Sequence, residues 1–359
     1  MLTRNVTLDD LYEATFISKE CHRVFHKRFM KWYAEVRFPS LVKMPNISDL
    51  DSHCAEYAAA GLPGCPMSVD CVHVRLWNCS ANLKQISTGK EKFPSRAYEV
   101  MVNHRGVCMS ATKGFYGSVS DRSIVRFDGA VMSVKNGIYK EYKFKAYKLD
   151  GSVIDLFGAY IICDNGYHKW ACLMEPSKNS STQEEFQWSE MVESMRKDIE
   201  CFFGILKQIF SVLKYGCRLQ NLDEVDNVFL ACCAMYNEKL IISGRDLPWD
   251  ARIIEAHDDR DLNHEEAAVF RRTNQQQTIL KLHALGSVDH NPANVTRTSE
   301  ELEAGMGAGE HEHVADIIPE FDIDHDVRKK QLIDHFAVAM NKNEVVWPGK
   351  NGSYKPYLR

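Results

Sequence analysis

The 359-residue sequence has no apolar run long enough to cross a bilayer. Stretches such as Ala159 to Cys163 fall far short of the ~20 residues a spanning helix needs. It has no CxxC pair among its 12 cysteines, which are scattered from Cys21 to Cys233. Met1-Leu2-Thr3-Arg4-Asn5 leads into polar residues with no apolar core, so a cleaved secretory signal is not expected. The thiols therefore read as reduced ones of a cytosolic or nuclear protein, not as a disulfide framework. No internal repeat is present. Nor is there an excess of basic charge, since Lys and Arg number 44 against 49 Asp and Glu, a net of -5. That balance excludes a globally basic nucleic-acid binder but not local basic patches.

What is present is globular: 45% apolar and 26% charged residues, in a chain long enough for one large domain or two ordinary ones. Charge is uneven along it. Residues 251–359 hold 19 acidic and 13 basic side chains, which leaves a near-neutral body and an acidic tail.

Residues 1–60 are predicted to form a helical N-terminal segment. Thr7-Leu8-Asp9-Asp10-Leu11 opens a short helix, and Ser18 caps a second, Lys19 to Trp32. The second carries Cys21, Val24, Phe25, Phe29 and Trp32 at helical spacing, with Lys19, Arg23, Lys27 and Arg28 on its other side. The pair reads either as a partial helix-turn-helix or as an amphipathic helix packed on the next domain. Cys21, His22 and His26 lack a fourth ligand at zinc-site spacing, so the histidines read as surface residues. Gly61-Leu62-Pro63-Gly64 then punctuates the chain. Strands are predicted at Met67 to Trp77, Tyr98 to Val102, Val107 to Ala111, Phe144 to Lys148 and Ala159 to Cys163. The last has no polar alternation, as expected of a strand covered on both faces, and stops at the turn Asp164-Asn165-Gly166. A long helix is predicted over 189–214, with Met195, Ile199, Phe202, Leu206, Ile209 and Leu213 on one face, and another over 225–242. This is an α/β pattern, with helices packed on a mixed sheet. The main domain is expected to span 61–245. Beyond it, 246–359 reads as an acidic, partly disordered tail with a short helix near 327–339.

Three acids stand out by position. Asp70 lies inside a predicted strand, where a carboxylate is costly unless paired or bound to metal. Asp164 ends the most apolar strand. Glu200 sits at the edge of the long helix's apolar stripe, one turn after Arg196. Converging carboxylates suit hard divalent cations, and two such ions suit in-line displacement at phosphorus. On spacing alone, Asp70 reads equally as a paired structural acid, Asp164 as a turn-former and Glu200 as half of an Arg196 ion pair.

Several blocks add to this. Gly61-Leu62-Pro63-Gly64-Cys65-Pro66-Met67-Ser68-Val69-Asp70-Cys71-Val72-His73 resembles the first catalytic block of PIF/Harbinger transposases, especially their plant-transposon-protein branch. The likeness runs through Trp77-Asn78-Cys79, Thr88-Gly89-Lys90-Glu91-Lys92-Phe93-Pro94 and Phe115-Tyr116-Gly117-Ser118-Val119-Ser120-Asp121. Asp164-Asn165-Gly166-Tyr167-His168-Lys169-Trp170-Ala171 is similar to the second block. Arg196-Lys197-Asp198-Ile199-Glu200-Cys201-Phe202-Phe203-Gly204-Ile205-Leu206-Lys207 is similar to the third. Met235-Tyr236-Asn237 and Leu332-Ile333-Asp334-His335 resemble later family positions. Departures include Asn103, where many relatives carry an acid, Tyr236, where a His is common, and Ser68 and Val69, where small or Gly-rich positions are usual.

The resemblance implies an RNase H-like fold with a DDE triad of Asp70, Asp164 and Glu200 holding two Mg²⁺ or Mn²⁺ ions. It further implies a nuclear DNA endonuclease or transposase that cleaves element ends and joins 3′-hydroxyls to target DNA. A Myb-like partner protein and a homo-oligomer accompany that expectation. The alternative is a domesticated, non-catalytic DNA-binding or scaffold protein that retains the fold.

His73 is expected on the strand face opposite Asp70, and Asp121 either lines the site or serves a loop or helix cap. Two basic stretches are candidates for DNA contact. One is Lys84, Lys90, Lys92, Arg96 and Arg105, balanced by Glu91 and Glu99; the other is Lys135, Lys140, Lys143, Lys145 and Lys148, interleaved with aromatics. The bland alternative for both is a solvated face.

Overall fold

Strands largely buried on both faces build the centre of the molecule. In this computed structural model, which describes residues 6–247, 324–348 and 354–356, β1 (Met67–Arg75) pairs antiparallel with β2 (Ser95–Val102). β2 carries β3 (Cys108–Ala111) and the short β4 (Phe115–Tyr116) on its other edge. On its far side β1 runs parallel to β7 (Ile161–Ile162), and β7 to β8 (Leu173–Met174). The strand order is therefore β3-β2-β1-β7-β8, a mixed sheet flanked by helices. β5 (Lys143–Tyr147) and β6 (Val153–Phe157) form a separate hairpin, and β9 (Val346–Pro348) pairs with β10 (Tyr354–Pro356).

The strand expected at Ala159 to Cys163 narrows to Ile161–Ile162, although the whole stretch is buried. Its ends are tied by single backbone bonds, Tyr160 to Gly64 and Cys163 to Met174, instead of a full ladder.

At the N-terminus, α1 (Leu8–Thr15) starts with a reciprocal Thr7–Asp10 capping box, and α2 (Lys19–Trp32) is capped by Ser18. A π turn over Tyr33–Arg37 leads into α3 (Phe38–Leu41), and α4 (Leu50–Ala59) follows. One expectation holds only in part. Of the apolar stripe on α2, Phe29 packs against the core, whereas Phe25 and Trp32 are 67% and 48% exposed. The π turn resets the helical phase. Met30, Tyr33, Ala34 and Phe38 are buried instead, and the Tyr33 hydroxyl and Arg37 both donate to Glu238. His22 pairs with Thr15 at 2.8 Å. His26 is half-buried and not a surface residue.

Short helices α5 (Ala81–Lys84), α6 (Asp121–Ile124) and α7 (Gly129–Lys135) fill the connections. The long helix α8 (Gln183–Ile209) begins at the Thr182 cap, earlier than expected. It stops at Phe210, whose extended backbone starts α9 (Ser211–Tyr215). α10 (Leu222–Ile242) and α11 (His325–Asn341) are the remaining α-helices among the described residues. Residues 248–323 of the tail, with Gln275, Gln276 and Gln277, lie outside the described residues.

Two large hydrophobic clusters share α8. Trp188, Met191, Val192 and Met195 join α4, α7, α11, β7 and β8 in one. Ile199, Phe202, Phe203 and Leu206 join α3, α10 and the α8-facing side of β1 and β2 in the other. Arg196 and Glu200 fall at the change-over. Residues 30–60 and α11 belong to these same cores, so neither is a separate module.

α11 is fastened by Glu175, which accepts from His325 Nε2 at 3.0 Å and Lys329 Nζ at 2.9 Å. Burial opposes ionisation of Glu175, but those two donors outweigh it and pull the carboxyl down to about 2. Burial likewise opposes charge on His325, and the Glu175 and Asp326 bonds outweigh it and raise the ring's pKa. The carboxyl's stabilisation is complete above its unfolded value of 4.5 and is lost as pH falls toward about 2. The imidazole's is complete below 6.5 and is lost on raising the pH through its elevated value. Glu175→Gln should therefore cost about 1–2 kcal/mol near pH 5.5, after discounting for partial solvation, and progressively less below pH 3. Thermal unfolding of wild type and variant at both pH values checks it.

Candidate active site

Strand pairing gathers two of the three acids. The parallel pairing of β1 with β7 matches Met67 to Ile161 and Ser68 to Ile162. The ladder ends there; two residues beyond it, Asp164 opens the turn after β7 close enough to act on the charge of Asp70, which sits within β1. The Asp70 face of β1 also carries Val72 and Val74, which pack against the cluster containing Ile199 and Phe202 of α8. Asp164 opens a turn in which its Oδ1 accepts from the Gly166 N–H at 2.6 Å.

The third acid arrives through a cation. Arg196 Nη1 donates to Asp70 Oδ2 at 3.1 Å, while Nη2 donates to Glu193 Oε1 at 3.1 Å and Glu200 Oε1 at 3.2 Å. One guanidinium thus joins the strand acid to two acids a helical turn either side of it. Asp70 and Glu200 meet across Arg196. Glu200, at 51% side-chain exposure, faces outward from the seam. Among the described residues, no three His, Cys, Asp or Glu side chains stand close enough to hold a metal without rearrangement. Asp121, at the start of α6, adds negative charge near Asp70 and pairs with Lys90 at 3.1 Å.

Burial pushes Asp70 up to about 6. The Cys71 N–H and Arg196 act against that shift, while Asp164 and Asp121 add to it. Desolvation outweighs the ion pair, so Asp70 is a strained acid. Its native state favours the proton: the stability it contributes is complete below 3.8 and is lost as pH rises through about 6. Asp70→Asn should then raise stability by about 2–3 kcal/mol at pH 8 and change it little at pH 4. A loss of stability at pH 8, read by urea unfolding, would assign Asp70 to a structural ion pair instead.

Behind β1, on the other face, lies a polar string that sequence reading missed. Glu99 is fully buried rather than part of a basic surface stretch. Burial and the neighbouring Asp128 push its carboxyl well up. Asp128 caps α7 through the Ala130 and Val131 N–H groups. Cys71 Sγ lies 3.7 Å from both Glu99 Oε2 and the Tyr167 hydroxyl, so the string reaches the loop that begins at Asp164. His73 falls, as expected, on the face away from Asp70, and pairs with Ser95 Oγ at 3.0 Å.

The basic candidates divide. Arg96 is no surface residue: 3% exposed, it forks onto Asp226 at 3.1 and 3.0 Å, and Tyr98 donates to the same carboxylate at 2.8 Å. A strand position facing α10 buries it, which the charge run could not reveal. Arg105 is committed to Glu56 and the Ser52 carbonyl. Lys84, Lys90 and Lys92 are exposed on the connection between β1 and β2. Lys140, Lys143 and Lys145 are exposed at the β5–β6 hairpin, where Lys143 pairs with Asp155 at 2.7 Å. Arg96→Met should therefore destabilise the fold by about 3 kcal/mol or more, because it strands a buried carboxylate, and leave the salt dependence of DNA binding unchanged. Denaturation and anisotropy titrations separate the two effects.

The two departures are structural. Asn103 holds a tight turn by accepting from the Arg105 and Val107 N–H groups, and Tyr236 packs edge-on to Phe202. Asn237 is fully buried. Its amide bridges Leu41 and Cys108, which ties α3 to β3.

The sequence pattern of the plant transposon protein family matches residues 39–247, more than half of the chain. The chain belongs to that family, and the resemblance read from its motifs is borne out. Two curated relatives carry the name "Putative nuclease HARBI1". The one from Homo sapiens is 22% identical over 187 residues, 51% of this chain and 48% of the relative. The one from Bos taurus is 22% identical over 233 residues, 63% and 61% respectively. The chain thus spans about half to three fifths of the length of these relatives. No solved structure matches. Among the described residues, no helix is long and apolar enough to cross a membrane.

Proposed function

We propose that this chain is a metal-dependent DNA endonuclease or transposase of the PIF/Harbinger type, built on an RNase H-like domain. The observation that carries the reading is the gathering of Asp70 on β1 and Asp164 in the turn after the adjacent parallel strand β7, with Arg196 joining Asp70 to Glu200 on α8. The strand order β3-β2-β1-β7-β8, antiparallel on one side of β1 and parallel on the other, supports the fold assignment. Family membership and the printed name of the two relatives support the activity.

The donor set fits hard divalent cations such as Mg²⁺ or Mn²⁺, since all three groups offer carboxylate oxygen and a cation already bridges two of them. Asp70, Asp164 and Glu200 would hold two ions, which when bound supply Lewis acidity at phosphorus and at the attacking water. The chain's own contribution is placement. β1 and the turn after β7 fix two acids, and α8 presents the third from a rigid element. Glu193 gives Arg196 a partner that is not one of the three acids. With this reading go DNA as partner, a nuclear location, a Myb-like accessory protein and a homo-oligomer.

Asp164→Asn tests it cleanly, because the amide oxygen can still accept from the Gly166 N–H and keep the turn. Nicking of supercoiled DNA with Mg²⁺ or Mn²⁺ should fall at least about a hundredfold, given that even outer partners of metal ligands cost 10–100-fold. Equal nicking by mutant and wild type removes the metal role.

One observation favours the second reading, a non-catalytic scaffold: Arg196 already bridges Asp70 and Glu200 without any ion. Calorimetric titration with Mn²⁺ separates the two. Saturable heat that Asp164→Asn abolishes supports the nuclease, and no heat in the wild type supports the scaffold.

A further inference from the structure

Beyond the acids, α8 continues the same face. Glu193, Arg196, Glu200, Phe203 and Lys207 follow one another at three- and four-residue steps, and Lys207 lies about 10 Å along the axis from Glu200. Phe203 and Lys207 form one wall of a groove of about 540 Å³ that runs along β1 from Cys71 to Trp77, with Lys207 two helical turns beyond Glu200 on α8. The other walls are the connection after β1 and the α9 segment.

Chemistry distinguishes this groove from ordinary surface. Trp77 and Tyr215 are 51% and 55% exposed. The Arg75 guanidinium lies 3.7 Å from the Trp77 ring centroid and 5.1 Å from that of Phe93. Together they make a cationic, aromatic platform. Lys207, Lys214 and Arg75 have no hydrogen-bonded or ion-pair partner among the described residues. Glu91 is the one acid on the lining, and it acts on Lys207 only at a distance. Lys207 is half-buried, and burial lowers its pKa, so the cation is held in the groove at a cost that a bound anion would offset.

The platform is also rigid. Leu76 and Cys217 form a parallel bridge, with Cys217 N–H donating to Arg75 at 2.8 Å and Trp77 N–H donating to Cys217 at 2.9 Å. The Trp77 indole N–H donates to the Tyr215 carbonyl. Gly216 permits this approach. Its φ is +95°, and a Cβ there would meet Arg75 Cβ, the Arg75 carbonyl and Trp77 Nε1 at 2.9 Å each.

We propose that this groove holds an unpaired strand of DNA, bases on the Trp77–Arg75–Tyr215 platform and phosphates at Lys207 and Lys214, leading to the Asp70–Asp164–Glu200 site. A duplex keeps its base faces stacked inside, whereas exposed rings beside unpaired cations suit a strand whose bases are free. The role assigned to the strand rests on the nuclease reading; the binding itself does not.

The test uses the full-length protein in EDTA, where no cleavage occurs, with fluorescein-labelled oligothymidylate and a duplex of equal length read by anisotropy. Wild type should prefer the single strand. Trp77→Ala should weaken oligothymidylate binding about fivefold to over a hundredfold, and Trp77→Phe, which keeps a ring, should restore most of it. Lys207→Gln should lower the slope of log affinity against log salt by about 0.7, the value for one phosphate of a single strand. Equal binding of duplex and single strand, or unchanged oligothymidylate affinity and slope in both Trp77→Ala and Lys207→Gln, overturns the proposal. Failure here alongside loss of nicking in Asp164→Asn leaves the nuclease reading standing. The reverse pattern removes the nuclease and keeps the strand groove.

Discussion

A single guanidinium governs the middle of this molecule. Arg196 sits where the inner face of α8 passes from one hydrophobic cluster to the other, and it reaches the only acid on β1. Without a cation there, Asp70 would be a carboxylate half-sunk between two apolar cores, and its elevated pKa shows that even Arg196 does not fully offset the desolvation. The seam is therefore a place where the fold tolerates an unfavourable charge. Such places are where catalytic or ligand-binding groups are commonly found.

Much of the remaining architecture serves to keep that seam in register. The parallel pairing of β1 and β7 is short, yet it is flanked by fully buried residues and by single backbone bonds that fix its ends. On the opposite face, Tyr167, Cys71, Glu99 and Asp128 hold the loop after Asp164 against β1. The Asp226 carboxylate, gripped by Arg96 and Tyr98, clamps α10 to β2. These buried polar groups lie around the acids, not among them. They explain how strands of two residues can still position a side chain.

The fold was largely legible in the chain, because periodicity and caps act locally. Thr7 and Ser18 cap α1 and α2 as expected, and the Met195–Ile199–Phe202–Leu206 stripe marks the buried face of α8. The acids could be singled out, because an aspartate in an apolar strand and another at a strand end are anomalies that sequence alone displays. Tertiary partners could not. Arg96 belonged to a charge run and proved to be a buried anchor. Glu99 looked like a counter-charge and proved to be a buried acid. The apolar stripe of α2 held only in part, since Phe29 packs on the core while Phe25 and Trp32 stay open to solvent. The strand groove was invisible for the same reason: Trp77, Lys207 and Tyr215 are remote in sequence, and only the bridge between Leu76 and Cys217 brings them together.

The central claim is that Asp70, Asp164 and Glu200 converge to hold divalent cations in the place where Arg196 now joins two of them. Crystals of the full chain soaked in Mn²⁺ and measured at the manganese absorption edge address it most directly. The account predicts anomalous density between Asp70 and Asp164, with Arg196 moved off Asp70 toward Glu193. Crystals that show no manganese at these carboxylates, with Arg196 still bonded to Asp70, would contradict it.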